Sequence, residues 1–504
     1  MRTNLHDVSH QGLTTILHGS LIGLAGLVSS TLFSIGLQFF LARSLGPGQL
    51  GLFNLGLSVA GLLAVVATFG LDNSVIRLVA GYLGQKDQSR ELGAIVSIFI
   101  LFCAINVFLI PLALIIAPVL AQDIFHKPDL TPVLHLLFLS VPLIVASKLC
   151  MSVLQSYKRL EYKAIIDRFL APAITLVGTV ILVWKLGNTG FAAACAIFIG
   201  ELVGFILSLA ALLSFRRLRR YDARPTLIPR EALSWALPFA LTALVGRTNV
   251  QTETLVLGSY STVSQLGIYT ACLRIAGVLD TFLLAINAIF APAIAELFSK
   301  GALEQLSAEF KTVTRWAFTL TLPFTLILII FSPDVMSLLG PGFSAGIPIL
   351  RMLALANLIF VGTGPVGYIL GMTRYPRINL ANVVITLLLS LALDFTLIPA
   401  YDIYGAAISG AITIILINLL RLGEVHVLLK MQPYNWAYWK PVVAGVATGL
   451  MVFSGSLALK ALPGFWRLSI FGLLTIVSFF TILILLGIDK EDQHAIRSFL
   501  FQRK

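Results

Sequence analysis

The sequence is short of charge. Asp, Glu, Lys and Arg make up 12% of its 504 residues, about half the ~25% of an ordinary soluble domain, and a chain of this length with so few charges cannot coat itself for water. Cysteine is scarce too: Cys103, Cys150, Cys195 and Cys272 all fall in apolar runs, which argues against a disulfide framework and leaves them as small packing residues. There is no GxxxxGK[ST] phosphate loop and no soluble stretch to hold one, so no nucleotide-driven motor is built in. No Ser, His and Asp arrangement and no metal-ligand spacing stands out, so the pattern is not that of an enzyme and implies neither cofactor nor metal. Period-2 alternation is missing from the apolar runs, which excludes a membrane barrel.

What remains is apolar. Hydrophobic residues reach 58% and the mean hydropathy is +0.94, the composition of an integral membrane protein. Residues 20–42, 44–71 and 92–121 contain no charge at all, and each exceeds the roughly 20 residues a helix needs to cross a hydrocarbon core. Further runs begin near Leu130, Phe169, Leu186, Ala232, Gln265, Trp316, Gly346, Ile378, Ile403, Pro441 and Leu468, so the chain is expected to be an all-α polytopic membrane protein with about fourteen transmembrane helices. Residues 1–19 precede a first run too long for a signal-peptide core and are expected to be retained.

The charge that exists is placed unevenly. Of 35 Lys and Arg, 26 fall in the even-numbered connections and the termini, five in the odd-numbered connections and four within spans. That asymmetry puts both termini and the basic linker on the cytoplasmic side of a cell membrane. The net charge of +12 is therefore topological. It attracts anionic membrane lipids and gives no ground for nucleic-acid binding.

The chain also repeats itself. "QLGLFNLGLSVAGLL" from Gln49 returns as "QLGIYTACLRIAGVL" from Gln265, with Gln49/Gln265, Leu50/Leu266, Gly51/Gly267, Leu57/Leu273, Ala60/Ala276, Gly61/Gly277 and Leu63/Leu279 identical. "NTGFAAACA" from Asn188 matches "IYGAAISGA" from Ile403 at nearly the same offset. Two matches at one offset predict two parallel six-helix repeats: a lobe over residues 1–214, a cytoplasmic basic linker over 215–230, and a second lobe over 231–430. Residues 431–504 add two C-terminal helices and a tail. Substrates of repeat-built transporters bind near mid-membrane at the seam between halves.

Charges inside the spans mark candidate sites, because each costs at least about 2.5 kcal/mol at mid-bilayer. In the seventh span "GRTNVQTET" sets Arg247, Gln251 and Thr254 on one face, with Asn249 and Glu253 beside them. The eighth adds Arg274, where the first copy of the repeat has Ser58, and then Asp280 and Asn287. Arg77 is expected at the cytoplasmic end of the second span. Arginine keeps its charge when buried and offers a planar fork to phosphate oxygens, so Arg77, Arg247, Gln251 and Arg274 are candidate substrate-binding residues. The alternative pairs Arg247 with Glu253 and Arg274 with Asp280 as helix ties. Glu201, Glu253, Asp280 and Asp394 are candidates for coupling to H+ or Na+.

Residues 42–91, with their "LG" turn, "GLF", "GLD" and following basic segment, resemble the polysaccharide-biosynthesis flippases of the multidrug/oligosaccharidyl-lipid/polysaccharide exporter superfamily. "SQLGIYTACLRIAGVLD" is similar to that family's eighth helix, where an Arg is common at the position of Arg274. The resemblance implies two six-helix lobes around a cationic cavity. It also implies movement of a polyprenyl-(pyro)phosphate-linked oligosaccharide to the outer leaflet by alternating access, beside glycan-assembly enzymes. A cation-coupled multidrug exporter is the nearest alternative, and a membrane glycan polymerase or ligase is the alternative from another class. The first would want an acidic cavity and the second a long external loop with acid-base residues.

Overall fold

The structure is a computed structural model that describes residues 4–215, 224–458 and 463–487. The side chains of residues 4–25, 28, 160 and 249 lie outside that description, as do residues 216–223, half of the expected basic linker, and the expected C-terminal tail. Among the described residues every regular element is helical. In lipid, helices satisfy their own backbone polar groups, so apolar runs without alternation have no other stable form.

The helices, in chain order, are α1 (Asn4–Thr68), α2 (Leu71–Gln85), α3 (Gln88–Val119), α4 (Leu130–Ser156), α5 (Leu160–Ile165), α6 (Ala171–Leu186), α7 (Gly190–Ser214), α8 (Pro229–Tyr260), α9 (Val263–Ala276), α10 (Asp280–Ser299), α11 (Leu303–Ile330), α12 (Ser332–Leu339), α13 (Gly346–Thr363), α14 (Val366–Met372), α15 (Pro376–Leu429), α16 (Trp439–Ala458) and α17 (Gly464–Leu485). Eleven helical segments among the described residues are long and apolar enough to cross a membrane. That number does not establish the expected fourteen, but two of the eleven are 57 and 54 residues long, far more than one crossing needs. Both α1 and α15 break inside, at Gly46 (φ 67°) before Pro47 and at Asp402 (φ 54°) after Pro399. The 32-residue α8 is not among the eleven, because its polar run lowers its hydropathy.

The chain divides into two compact units. The first holds residues 1–271 and 383–409; the second holds 272–382 and 410–504. In the first, α4 packs on α1 and α7, and α8 lies along α1 and α2. In the second, Phe290 and Ile294 of α10, Phe310 of α11, Ile369 and Leu370 of α14, and Val425 of α15 form one buried cluster. The segment after α11 begins with α12, whose Asp334 receives Arg467 Nε at 3.0 and 3.1 Å. Large apolar side chains such as Phe108, Trp184 and Leu485 stand outward at 78%, 85% and 80% exposure, the surface that lipid would cover.

Candidate functional site

In the first unit α8 is drawn against the N-terminal helices at points where those helices carry no side chain. A Cβ at Gly70 would lie 2.3 Å from the Ala236 carbonyl oxygen, and one at Gly93 would lie 1.8 Å from that of Thr226. Ser74 Oγ donates to Ala232 O at 2.9 Å, and Tyr82 OH donates to Glu231 Oε2 at 2.7 Å. This frame holds the exposed Arg77 with its Cζ 3.5 Å above the Trp235 ring, an exposed cation–π contact of about 0.5–1 kcal/mol.

Twelve residues beyond Trp235, about 18 Å further along the helix, comes Arg247. It is half-buried and lies flat on α1: a Cβ at Gly61 would be 2.6 Å from its Nη2 and 3.3 Å from its Nε. No hydrogen bond or ion pair engages Arg247 among the described residues. The pairing with Glu253 considered from sequence does not form, because Glu253 accepts a hydrogen bond from Tyr269 OH. Gln251, one turn on from Arg247, is half-buried. Asn249 is one of the side chains outside the description.

The carboxylates separate into different settings. Asp394 is fully buried, accepting from Ser409 Oγ at 2.5 Å and from Ser390 Oγ at 3.1 Å, while Thr252 Oγ1 of α8 stands 2.8 Å from Ser390 Oγ. Together with Glu253, the residue after Thr252, this sets two acids and three hydroxyls around the meeting of α8 and α15. Glu201 lies elsewhere in the same unit, lining a cavity of about 320 Å³ with Asp167 and Lys148. Arg274 and Asp280 belong to the second unit, Arg274 exposed and Asp280 with a buried Oδ1 that has no hydrogen-bond partner among the described residues. Arg247 and Gln251 thus share α8, Arg77 of α2 rests on Trp235 of that same helix, and Glu253 stands beside the Asp394 cluster, whereas Glu201 lines a separate cavity of this unit and Arg274 and Asp280 belong to the second unit.

The two copies of the repeat meet. A Cβ on Gly51 would sit 1.9 Å from Val263 O, and a Cβ on Gly267 would sit 1.9 Å from Pro47 O, each also 2.9 Å from the other glycine's nitrogen. One turn along, Asn54 Nδ2 donates to Thr270 Oγ1 at 2.9 Å, a pair 216 residues apart in sequence. Gln49 Oε1 accepts from Gly190 N at 2.9 Å, tying the first copy to the start of α7. Lys127, in the turn between α3 and α4, donates to the carbonyl oxygens of Phe125 and Gly258, and burial holds its ammonium pKa below the usual lysine range.

A family described as polysaccharide biosynthesis protein matches residues 16–298, more than half of the chain. The chain belongs to that family. As a polysaccharide biosynthesis protein it is 24% identical over 434 residues to the probable low-salt glycan biosynthesis flippase Agl15 of Haloferax volcanii, covering 84% of this chain and 88% of the other. Its fold is similar to that of the lipid II flippase MurJ, whose structure is of an inward closed conformation, at a TM-score of 0.73 and 14% identity over 93% of this chain and 98% of that one. An inward-facing multidrug resistance MATE transporter of the MOP superfamily follows at 0.70 and 16% identity, over 82% and 98%.

Sequence reasoning missed several residues of this polysaccharide biosynthesis protein. Ser390 and Ser409 carry no charge and look like ordinary small residues; Ser390 reaches Asp394 from one turn earlier on the same helix, and Ser409 reaches it only because α15 breaks at Asp402. Gly61 looked like a packing position, and its role under Arg247 depends on a contact between segments 186 residues apart. Asp72 had no partner in view, yet Lys148 Nζ reaches it at 2.8 Å.

Proposed function

We propose that this chain is a flippase that carries a polyprenyl-(pyro)phosphate-linked oligosaccharide across the cell membrane by alternating access, for surface polysaccharide synthesis. The observation that carries the reading is Arg247, a cation within a helix of the apolar frame that no group among the described residues neutralises. A guanidinium left so must be compensated by water or by an anion, and a pyrophosphate is the anion a glycan-lipid carrier brings. Arg77, about 18 Å along α8, would meet the same headgroup at another depth, with Gln251 offering hydrogen bonds to sugar hydroxyls. Arg274 is proposed as a further contact from the second copy of the repeat. The lipid tail would stay in the bilayer throughout.

The domain reading proposed is two six-helix lobes, residues 1–214 and 231–430, a cytoplasmic linker, and two added helices, with both termini cytoplasmic. For energy, Asp394 with Glu253 is the favoured coupling pair, because a buried carboxylate ringed by hydroxyls binds a proton or a hard monovalent cation. Asp280 and Glu201 are proposed as secondary coupling groups. Nothing in the reading requires bond chemistry, so the chain is proposed to be a transporter and not an enzyme. Reconstitution in liposomes with lipid-linked oligosaccharides tests it: the wild-type chain should deliver the headgroup to the far leaflet, and a chain that inserts normally but moves none of the candidates would overturn the reading.

A further inference from the structure

The second unit contains a polar chamber that the flippase reading does not use. A cavity of about 350 Å³ lies between α10, the α13–α14 connection and α15, and its wall includes Asn287, Asn379, Asn418 and Arg421. This is within the size range of small-molecule sites. Four polar atoms on that wall are buried without a hydrogen-bond partner among the described residues: the Oδ1 of Asn287, of Asn379 and of Asn418, and the Nε of Arg421. Asn287 and Asn418 are each only 3% exposed. Asn418 already spends its amide nitrogen on Ile414 O at 2.7 Å, so its oxygen is what it offers the chamber.

Orphaned buried polar atoms are rare in native folds, and four on one cavity point to something that satisfies them together. Glu424, three residues beyond Arg421, takes a hydrogen bond from Asn382 Nδ2 at 2.5 Å, and among the described residues no ion pair joins it to Arg421. The facing wall is bare: Gly367 and Gly371 are four residues apart, and a Cβ at Gly367 would stand 3.7 Å from Arg421 Nη1 and 3.8 Å from Asn379 Oδ1. The space above the guanidinium exists because that position has no side chain. Tyr368, 39% exposed, and Met372, 45% exposed, stand at the rim.

The chamber thus presents one cationic donor and three carbonyl acceptors. An anion alone would satisfy Arg421 and leave the acceptors unmet, and a neutral sugar would do the reverse. We propose that the chamber binds a hydroxylated phosphate, the phosphate on Arg421 and the hydroxyls donating to Asn287, Asn379 and Asn418. A glycosyl phosphate and a glycerophosphate lipid headgroup share that chemistry.

The test uses the full chain in phosphatidylcholine nanodiscs, titrated with glucose 1-phosphate, glycerol 1-phosphate and inorganic phosphate. The expected result is that one of the hydroxylated probes binds at least tenfold tighter than inorganic phosphate; a glucose 1-phosphate preference identifies a glycan source and a glycerol 1-phosphate preference a phospholipid source. Arg421→Gln should weaken all three probes at least tenfold, and Asn418→Leu should reduce the hydroxylated probes towards the inorganic phosphate level. Gly367→Leu, which keeps Arg421 and fills the space above it, should abolish binding on monodisperse protein even if Arg421→Gln fails to fold. Equal binding of inorganic phosphate, or binding untouched by Arg421→Gln and Gly367→Leu, overturns the proposal. The outcome is independent of the flippase reading: a chain that binds these probes through Arg421 yet moves no lipid-linked glycan would sink that reading and leave this one standing.

Discussion

Replacing Gly51 with alanine should hold the two copies of the repeat apart. The added Cβ would come 1.9 Å from Val263 O, and neither atom is at the end of a movable side chain. The backbones must therefore withdraw by at least about 1 Å before an ordinary contact distance is restored. Overpacking of this kind typically costs about 1–3 kcal/mol, which corresponds to a shift of about 5–150-fold in a two-state equilibrium. The state in which Asn54 Nδ2 and Thr270 Oγ1 are 2.9 Å apart should lose population by that factor. The assay is disulfide formation between Asn54→Cys and Thr270→Cys in membranes, with and without Gly51→Ala. In the Gly51 background the bridge should form readily and arrest transport, because it locks one arrangement of α1 and α9. In the Gly51→Ala background its rate should fall at least fivefold. Equal bridging rates in the two backgrounds would refute the reasoning, since they would mean that the close approach of the glycines does not set the separation of these helices.

Other changes test the site itself. Arg247→Gln should abolish delivery of a lipid-linked glycan in the liposome assay with abundance unchanged, whereas Arg247→Lys, a charge without the fork, should keep partial activity; full activity in Arg247→Gln would remove the residue from the mechanism. Gly61→Leu should displace the guanidinium from α1 and cut transport at least tenfold with Arg247 still present, measured in the same assay. Asp394→Asn should make transport insensitive to an imposed pH or sodium gradient, and unchanged dependence on both would exclude it as a coupling group. Trp235→Ala removes only a cation–π contact of about 0.5–1 kcal/mol from Arg77, so transport should fall by no more than about fivefold.

Much of the fold could be read from the sequence because hydropathy works on runs of residues, and a bilayer permits few ways to arrange an apolar run. The breaks in α1 and α15 were also legible to within a few residues, the first from Arg43 between two uncharged runs and the second from the separate runs begun near Ile378 and Ile403. The site was legible only as a set of charges. Arg247 stood out because an arginine in an apolar span needs a reason, and so did Asp394. Which charges share a place depends on contacts such as Thr252 with Ser390, 138 residues apart, and no local pattern reports those. Arg274 illustrates the limit: the mismatch with Ser58 marked it, yet the two residues fall in different units, so likeness of sequence position did not become likeness of setting. Of the chamber around Arg421 only Asn287 was marked from sequence; Asn379 and Asn418 look like ordinary polar residues, and what makes all three informative is an amide oxygen without a partner among the described residues.

The positions that matter most to these predictions are places where a side chain is absent. Between membrane helices there is little hydrophobic force, since lipid is as apolar as leucine, and close contact depends on small residues that let backbones approach. Gly51 and Gly267 use that freedom for packing, backbone against backbone. Gly61 uses it for something else: the bare stretch of helix admits the Arg247 guanidinium, and the planar group stays beside α1 with no carboxylate among the described residues to hold it. Gly367 does the same over Arg421 in the other unit. An arginine neutralised by an acid would be a fastener, fixed and of little use to a ligand. One seated on a glycine is positioned by shape alone and keeps its charge available. The distinction separates Arg467, clamped to Asp334, from Arg247 and Arg421, and it predicts which substitutions act by loosening the fold and which by silencing a site. Arg467→Gln should lower stability, leaving Asp334 buried without its partner at a cost of about 3–5 kcal/mol, whereas Arg247→Gln should leave the melting temperature of the purified chain unchanged or raise it while transport is lost. If Arg247→Gln instead unfolds the protein as readily as Arg467→Gln, then Arg247 is a structural tie after all.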